Sequence, residues 1–150
     1  MLVDNTLNLG YPSLDILAWR VRGQLRVIPA YSPAELDDFF AGVDVLVFPS
    51  QWKESFGLTV REALARDVWV IATEGGGPGE AITDGVNGTL LKLDGRWQPL
   101  AAAITALLEN PAALRDFRNP HAAAIMDFDA QAAALHETLS RVAHAQDRPA

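Results

Sequence analysis

From Gln24 onward the chain alternates short, β-branched apolar runs with stretches of helical spacing, the pattern that βαβ units around a parallel sheet require. Four runs read as strands: Leu25–Pro29, Val43–Phe48, Trp69–Thr73 and Gly88–Leu91. Val45-Leu46-Val47-Phe48 is apolar at successive positions, as in a strand covered on both faces, which predicts a central place for it. Between these runs, Ser32 reads as an N-cap with Pro33 at the first helical position and Glu35 at capping-box spacing. They open a helix through Leu36, Phe39 and Phe40 to Gly42. A second helix is expected from about Gly57 to Arg66 with Val60, Ala63 and Leu64 toward the sheet, and a short third follows Pro78. Thr83-Asp84-Gly85-Val86-Asn87-Gly88 is a dense turn signal before the last strand.

After Gly95 the texture becomes Ala- and Leu-rich. Helices are expected over Gln98–Glu109, over Pro111–Phe117 and in a long Ala-rich stretch ending near Ala145, with Asn119-Pro120 as the break before it. That last helix is poor in large apolar side chains and is expected to pack closely on, or extend over, another surface. Residues 1–24 fit less well. Ser13 stands where it can cap a helix through Leu14, Leu17, Ala18 and Val21 that Gly23 stops, and the first ten residues read as a disordered or displaced lead-in. The expected organisation is a lead-in over 1–24, a Rossmann-like domain over 25–118 and a C-terminal helix over 119–150. The fold class is α/β, a parallel sheet flanked by helices with a helical C-terminal segment.

Composition narrows the functions open to such a domain. The 150 residues are 49% hydrophobic, enough for a core without disulfides or structural metal. The absence of Cys excludes a disulfide scaffold, thiolate zinc and a cysteine nucleophile. With 19 acidic against 12 basic side chains and a net charge of −7, a sequence-independent grip on nucleic acid is not expected. No apolar run approaches the roughly 18 residues of a membrane span, and Met1-Leu2-Val3-Asp4 lacks the basic start of a signal peptide, so a cytoplasmic location is expected. His121, His136 and His144 are spaced by 15 and 8, which puts no two on adjacent helical turns, so no metal site is expected there. Arg20, Arg22 and Arg26 read as a solvated face.

Most of the chemistry lies in the stretch from Phe48 to Ala63. It reads as a buried strand, a loop carrying Glu54, and a helix opening at Gly57 with Glu62 further in. In an open parallel sheet, ligands bind at the carboxyl ends of strands. Glycine at position 57 lets a ligand come close to the backbone. Glu54 and Glu62 are eight residues apart, roughly 12 Å of rise if both were helical. Paired glycosidase carboxyls stand about 5–5.5 Å apart in retaining enzymes and about 6.5–9.5 Å apart in inverting ones, so two contacts along one extended ligand is the better reading. Glu62 also has the spacing of a helix-surface pair with Arg66. Trp52 and Phe56 read as packing residues.

Glu54 and Glu62, set within Pro49-Ser50, Glu54-Ser55-Phe56-Gly57 and Glu62-Ala63, form an E-x7-E pattern that resembles the group 1 (family GT4) retaining glycosyltransferases. The likeness continues through Val70-Ile71-Ala72-Thr73, Gly76-Gly77-Pro78-Gly79-Glu80 and Gly85-Val86-Asn87-Gly88, covering about Val27 to Leu108. It implies the C-terminal half of a GT-B fold, incomplete at its N-terminus, that binds a nucleotide diphosphate sugar. No metal or other cofactor is implied, because basic residues and helix N-termini stabilise the leaving diphosphate in such enzymes. By the same resemblance Glu54 sits beside the donor sugar as the catalytic residue, and Glu62 accepts from two ribose hydroxyls. The N–H groups of Phe56, Gly57 and Leu58 meet the sugar or diphosphate, and Ser55, Gly76, Gly77 and Glu80 complete the donor site.

The sequence also departs from the family. The family's loop ending Lys-Gly, with its Arg and Lys, has no match here, and neither does an N-terminal acceptor domain. Asp67 and Trp69 stand where Gly and Pro are frequent. The chain alone is therefore expected to be inactive and to need an acceptor domain in cis or trans, through which it could sit peripherally on a membrane. The alternative is a non-catalytic nucleotide-binding or protein-interaction module. An incomplete sheet exposes an edge, so a homodimer or swapping of residues 1–24 is also expected.

Overall fold

The structure, a computed structural model, describes residues 1–16, 19–125 and 128–146. The chain divides into two compact units, Met1–Gly42 and Val43–Ala150.

In the first unit β1 (Leu2–Val3) pairs in parallel with β2 (Val27–Ile28), Leu2 opposite Val27 and Val3 opposite Ile28. The first ten residues are an ordered element. Asp4 caps a 3-10 turn over Asn5–Leu9, and Gly10, at φ 89°, closes it in the left-handed region. The expected helix from Ser13 to Val21 does not form among the described residues of that stretch; Leu17 and Ala18 lie outside them. Ser13 instead donates to Asp4 from its backbone N–H and its hydroxyl, both at 2.8 Å. The capping box is present: the Glu35 carboxylate accepts from the Ser32 N–H at 2.8 Å and from its hydroxyl at 2.7 Å. A 3-10 turn over Pro33–Glu35 runs into α1 (Leu36–Ala41), which ends at Gly42. Tyr31 stacks on Phe39 at 4.1 Å, and Phe40, edge-on to both, is buried.

The second unit holds a three-stranded parallel sheet in the order β3 (Val45–Phe48), β4 (Trp69–Thr73), β5 (Gly88–Leu91). Val45 lies opposite Trp69 and Val70 opposite Gly88. The central strand is thus β4, with Val70, Ile71 and Ala72 fully buried, whereas β3 is an edge with Val47 40% exposed. Continuous apolarity marks burial on two faces but does not say how many neighbours a strand has, and that misplaced β3. α2 (Leu58–Leu64) buries Val60, Ala63 and Leu64, the three residues expected to face the sheet. α3 (Gly77–Ala81) takes Pro78 into its first turn. Buried Asn87 holds the turn before β5, accepting from the Thr83 N–H at 2.7 Å and donating to the Ala81 carbonyl at 3.3 Å.

Helices follow at α4 (Gln98–Glu109), α5 (Ala112–Arg115) and α6 (Phe128–Gln146). The last begins at Phe128, later than the expected 119, because Asn119 is a buried anchor. It donates to the Leu64 carbonyl at 2.8 Å from its side chain and to Asp67 Oδ1 at 2.9 Å from its backbone. α6 is exposed along nearly all its length, including Phe128, Leu135, Leu139 and Val142. It does not pack closely on another surface within this unit.

Candidate functional site

The site is assembled from two loops leaving the carboxyl ends of adjacent parallel strands, Pro49–Gly57 after β3 and Glu74–Gly76 after β4. The backbone locks them together: the Glu54 N–H donates to the Gly75 carbonyl at 3.1 Å, and the Gly77 N–H donates to the Glu54 carbonyl at 2.8 Å. Deeper in, the Thr73 hydroxyl donates to the Ser50 carbonyl. Only glycine fits the crossing. A Cβ on Gly76 would overlap the Glu54 carbonyl, and one on Gly77 would overlap the Phe56 carbonyl. Gly57 sits at φ 69° as the N-cap of α2, and a Cβ there would come within 2.9 Å of Pro78. Gly57, Gly76 and Gly77 therefore let two backbones meet.

The side chains divide into two groups around this lock. Glu54 is half-buried and within 3.4 Å of the Ser50 hydroxyl. Glu62 lies more than a turn into α2, half-buried. Burial pushes its carboxyl above the usual range, against the opposing pull of Arg66. Arg66 donates from Nη1 to the Glu62 backbone carbonyl at 3.1 Å. Ser55 and Leu58 are exposed. Trp52, expected as a packing residue, is 80% exposed, and Phe56 is 43% exposed with its ring against the Arg61 guanidinium. The loop they sit on is held by its backbone, which leaves their rings free of that task.

Phe56 and Glu80 line a cavity of about 490 Å³, together with Arg61, Thr83, His121 and Ile125. Glu54 and Glu62 are outside its wall. Arg61 is the best-held polar group here. Its Nη1 donates to the Gly77 carbonyl at 3.1 Å, its guanidinium carbon lies 4.0 Å from the Phe56 ring centroid, and its Nη2 is 3.8 Å from Glu80 Oε2. Neither Arg61 nor His121 stood out from the sequence as a site residue. Arg61 carried one signal, as the only basic residue between Glu54 and Glu62; His121 carried none. Among the described residues no three His, Asp or Glu side chains gather into a metal-holding group, and no helix is long and apolar enough to cross a membrane.

A parallel sheet flanked by helices, with loops converging at its strands' carboxyl ends, defines a Rossmann-like α/β domain. The family model for glycosyl transferases group 1 matches residues 11–122, and the chain belongs to that family. It is 35% identical over 120 residues to D-inositol 3-phosphate glycosyltransferase 2 of Catenulispora acidiphila, covering 78% of this chain and 27% of the relative. It is 41% identical over 75 residues to the GDP-mannose-dependent alpha-mannosyltransferase of Mycolicibacterium smegmatis, covering 50% of this chain and 20% of that one. Among solved structures, Anabaena Alr3699/HepE in complex with UDP-glucose superposes with a TM-score of 0.66 at 26% identity, over 77% of this chain and 32% of that chain. Sucrose-phosphate synthase from Thermosynechococcus elongatus does so with a TM-score of 0.69 at 25% identity, over 80% and 30%. The fold is that of the GT-B glycosyltransferases, and the chain spans about a quarter of the length of the first of these relatives.

Proposed function

We propose that the chain is the donor-binding portion of a retaining glycosyltransferase, which moves a sugar from a nucleotide diphosphate sugar to an acceptor with its anomeric configuration kept. The observation that carries this is the backbone lock between Glu54 and Gly75–Gly77 at the carboxyl ends of β3 and β4. It fixes an acidic loop where parallel α/β sheets bind their ligands. On this reading Glu54 is the catalytic residue beside the donor sugar and Glu62 accepts from the ribose hydroxyls. Ser55, Phe56, Gly57, Leu58, Gly76, Gly77 and Glu80 hold the remainder of the donor. No metal or other cofactor enters the scheme. A similar structure that carries UDP-glucose, and a relative named for GDP-mannose, support a nucleotide diphosphate sugar without choosing the base. The acceptor domain is supplied in cis or in trans.

Calorimetric titration with UDP and with GDP tests the reading. Saturable binding of one of them, weakened about tenfold or more in Glu62→Ala, is the expected result. No binding of either overturns it in favour of an interaction module, a role for which the exposed apolar side chains of α6, Phe128, Leu135, Leu139 and Val142, are suited.

A further inference from the structure

Arg61 is held from three sides, and among the described residues the carboxylate paired with it is that of Glu80, at 3.8 Å. Its guanidinium carbon lies over the Phe56 ring, and Nη1 is committed to the Gly77 carbonyl. Nη2 faces Glu80 Oε2 across 3.8 Å, too far for a hydrogen bond. The two partners also differ in freedom: the Arg61 side chain is 18% exposed and that of Glu80 73%. The cation is therefore fixed, while the carboxylate opposite it is a solvated group at the cavity mouth. A pair at that distance with its carboxylate in solvent contributes little, so a better anion displaces Glu80 at small cost. The cavity beside them, about 490 Å³, has the size of a small-molecule site. Thr83 and His121 add polar groups to its wall, against apolar Ala81, Ala124 and Ile125.

We propose that Arg61 is the anion receptor of this cavity and that its ligand is a phosphoryl group, bound where the Glu80 carboxylate now stands. A guanidinium offers paired N–H donors in a planar fork that matches two phosphoryl oxygens, which a carboxylate at 3.8 Å does not exploit. The inference deepens the donor-site reading, rests on it for the nature of the ligand, and revises it at one residue: Glu80 yields its place to the phosphoryl group instead of holding the donor. Two sources can supply the phosphoryl group: the diphosphate of the donor, or a phosphate on the acceptor.

Titration of the whole chain with UDP, GDP and an inositol monophosphate distinguishes these. At least one of them is expected to lose about tenfold in affinity in Arg61→Met and to regain part of it in Arg61→Lys, and the ligand that does so identifies the source. Glu80→Gln is expected to tighten that same ligand severalfold, because it removes the competing carboxylate. If Arg61 only clamps the loops, Glu80→Gln weakens binding or leaves it unchanged, and that result overturns the proposal. So does binding indifferent to both Arg61 variants, while the donor-site reading survives if Glu62→Ala still weakens it about tenfold or more. Should Arg61→Met fail to fold, Arg61→Lys and Glu80→Gln decide between the two outcomes. No binding of any of the three ligands overturns both readings.

Discussion

Single residues do two kinds of work around the site. The glycines at 76 and 77 are placed by close approach, since any Cβ there strikes the carbonyl of Glu54 or Phe56. Backbone cannot yield as a flexible side chain does, so Gly77→Ala is expected to cost about 3 kcal/mol in urea unfolding and to weaken nucleotide binding by parting the loops. Asp67 is the other kind. It stands where the family often has glycine, and at φ 59° it is the only described non-glycine residue with a positive φ. Its carboxylate compensates by accepting from the Asn119 N–H at 2.9 Å, which ties the chain after α5 to the end of α2. Asp67→Ala removes that acceptor and keeps the left-handed strain, and is expected to cost about 2 kcal/mol. Asp67→Gly recovers about 1 kcal/mol of the strain and is expected to fall between Asp67→Ala and the parent. Trp69, in place of a frequent proline, packs edge-on to Phe117 at 5.1 Å and donates from Nε1 to the Thr89 hydroxyl at 3.2 Å.

Elements with local signals were the legible ones. β4, β5 and α4 have the boundaries their sequence predicts, because β-branched runs, a dense turn and an Ala- and Leu-rich helical pattern are all local. The misread elements depend on distant partners. Residues 1–10 look like a lead-in until Asp4 meets Ser13 and β1 finds β2 more than twenty residues away. Asp4 carries a pH prediction. The Thr6 hydroxyl first, and then Ser13 and the Thr6 N–H, hold its carboxyl down to about 2 from 3.8, against desolvation. Because the folded value is the lower one, its stabilisation is complete above 3.8 and is lost as pH falls through about 2. Amide-exchange protection at Thr6 and Ser13 is therefore expected to fall across that window, and Asp4→Asn to show weak protection at every pH.

At the scale of the whole molecule, an edge strand and an apolar cavity occur together in the second unit. β3 leaves Val47 40% exposed, and an apolar cavity of about 430 Å³ lies between Val45, Val47 and Ile71 on the sheet and Ile104, Leu107 and Leu108 on α4. The chain spans 27% of a curated relative's length, so the sugar-transfer reading requires residues beyond it. The purified chain is expected to show no transfer from UDP-glucose or GDP-mannose, and adding a chain that carries the acceptor domain is expected to restore it. Turnover by the chain alone would refute that requirement.

The sequence by itself determined the α/β class, the strands and helices that carry local signals, and the acidic loop with its glycines, because periodicity, capping and turn chemistry act over a few residues. The tertiary structure alone decided that β4 and not β3 is central, that the glycines serve a crossing of two backbones, and that Arg61 lies between Phe56, Gly77 and Glu80. Each of these depends on which distant segment the chain brings alongside, and no local pattern encodes it.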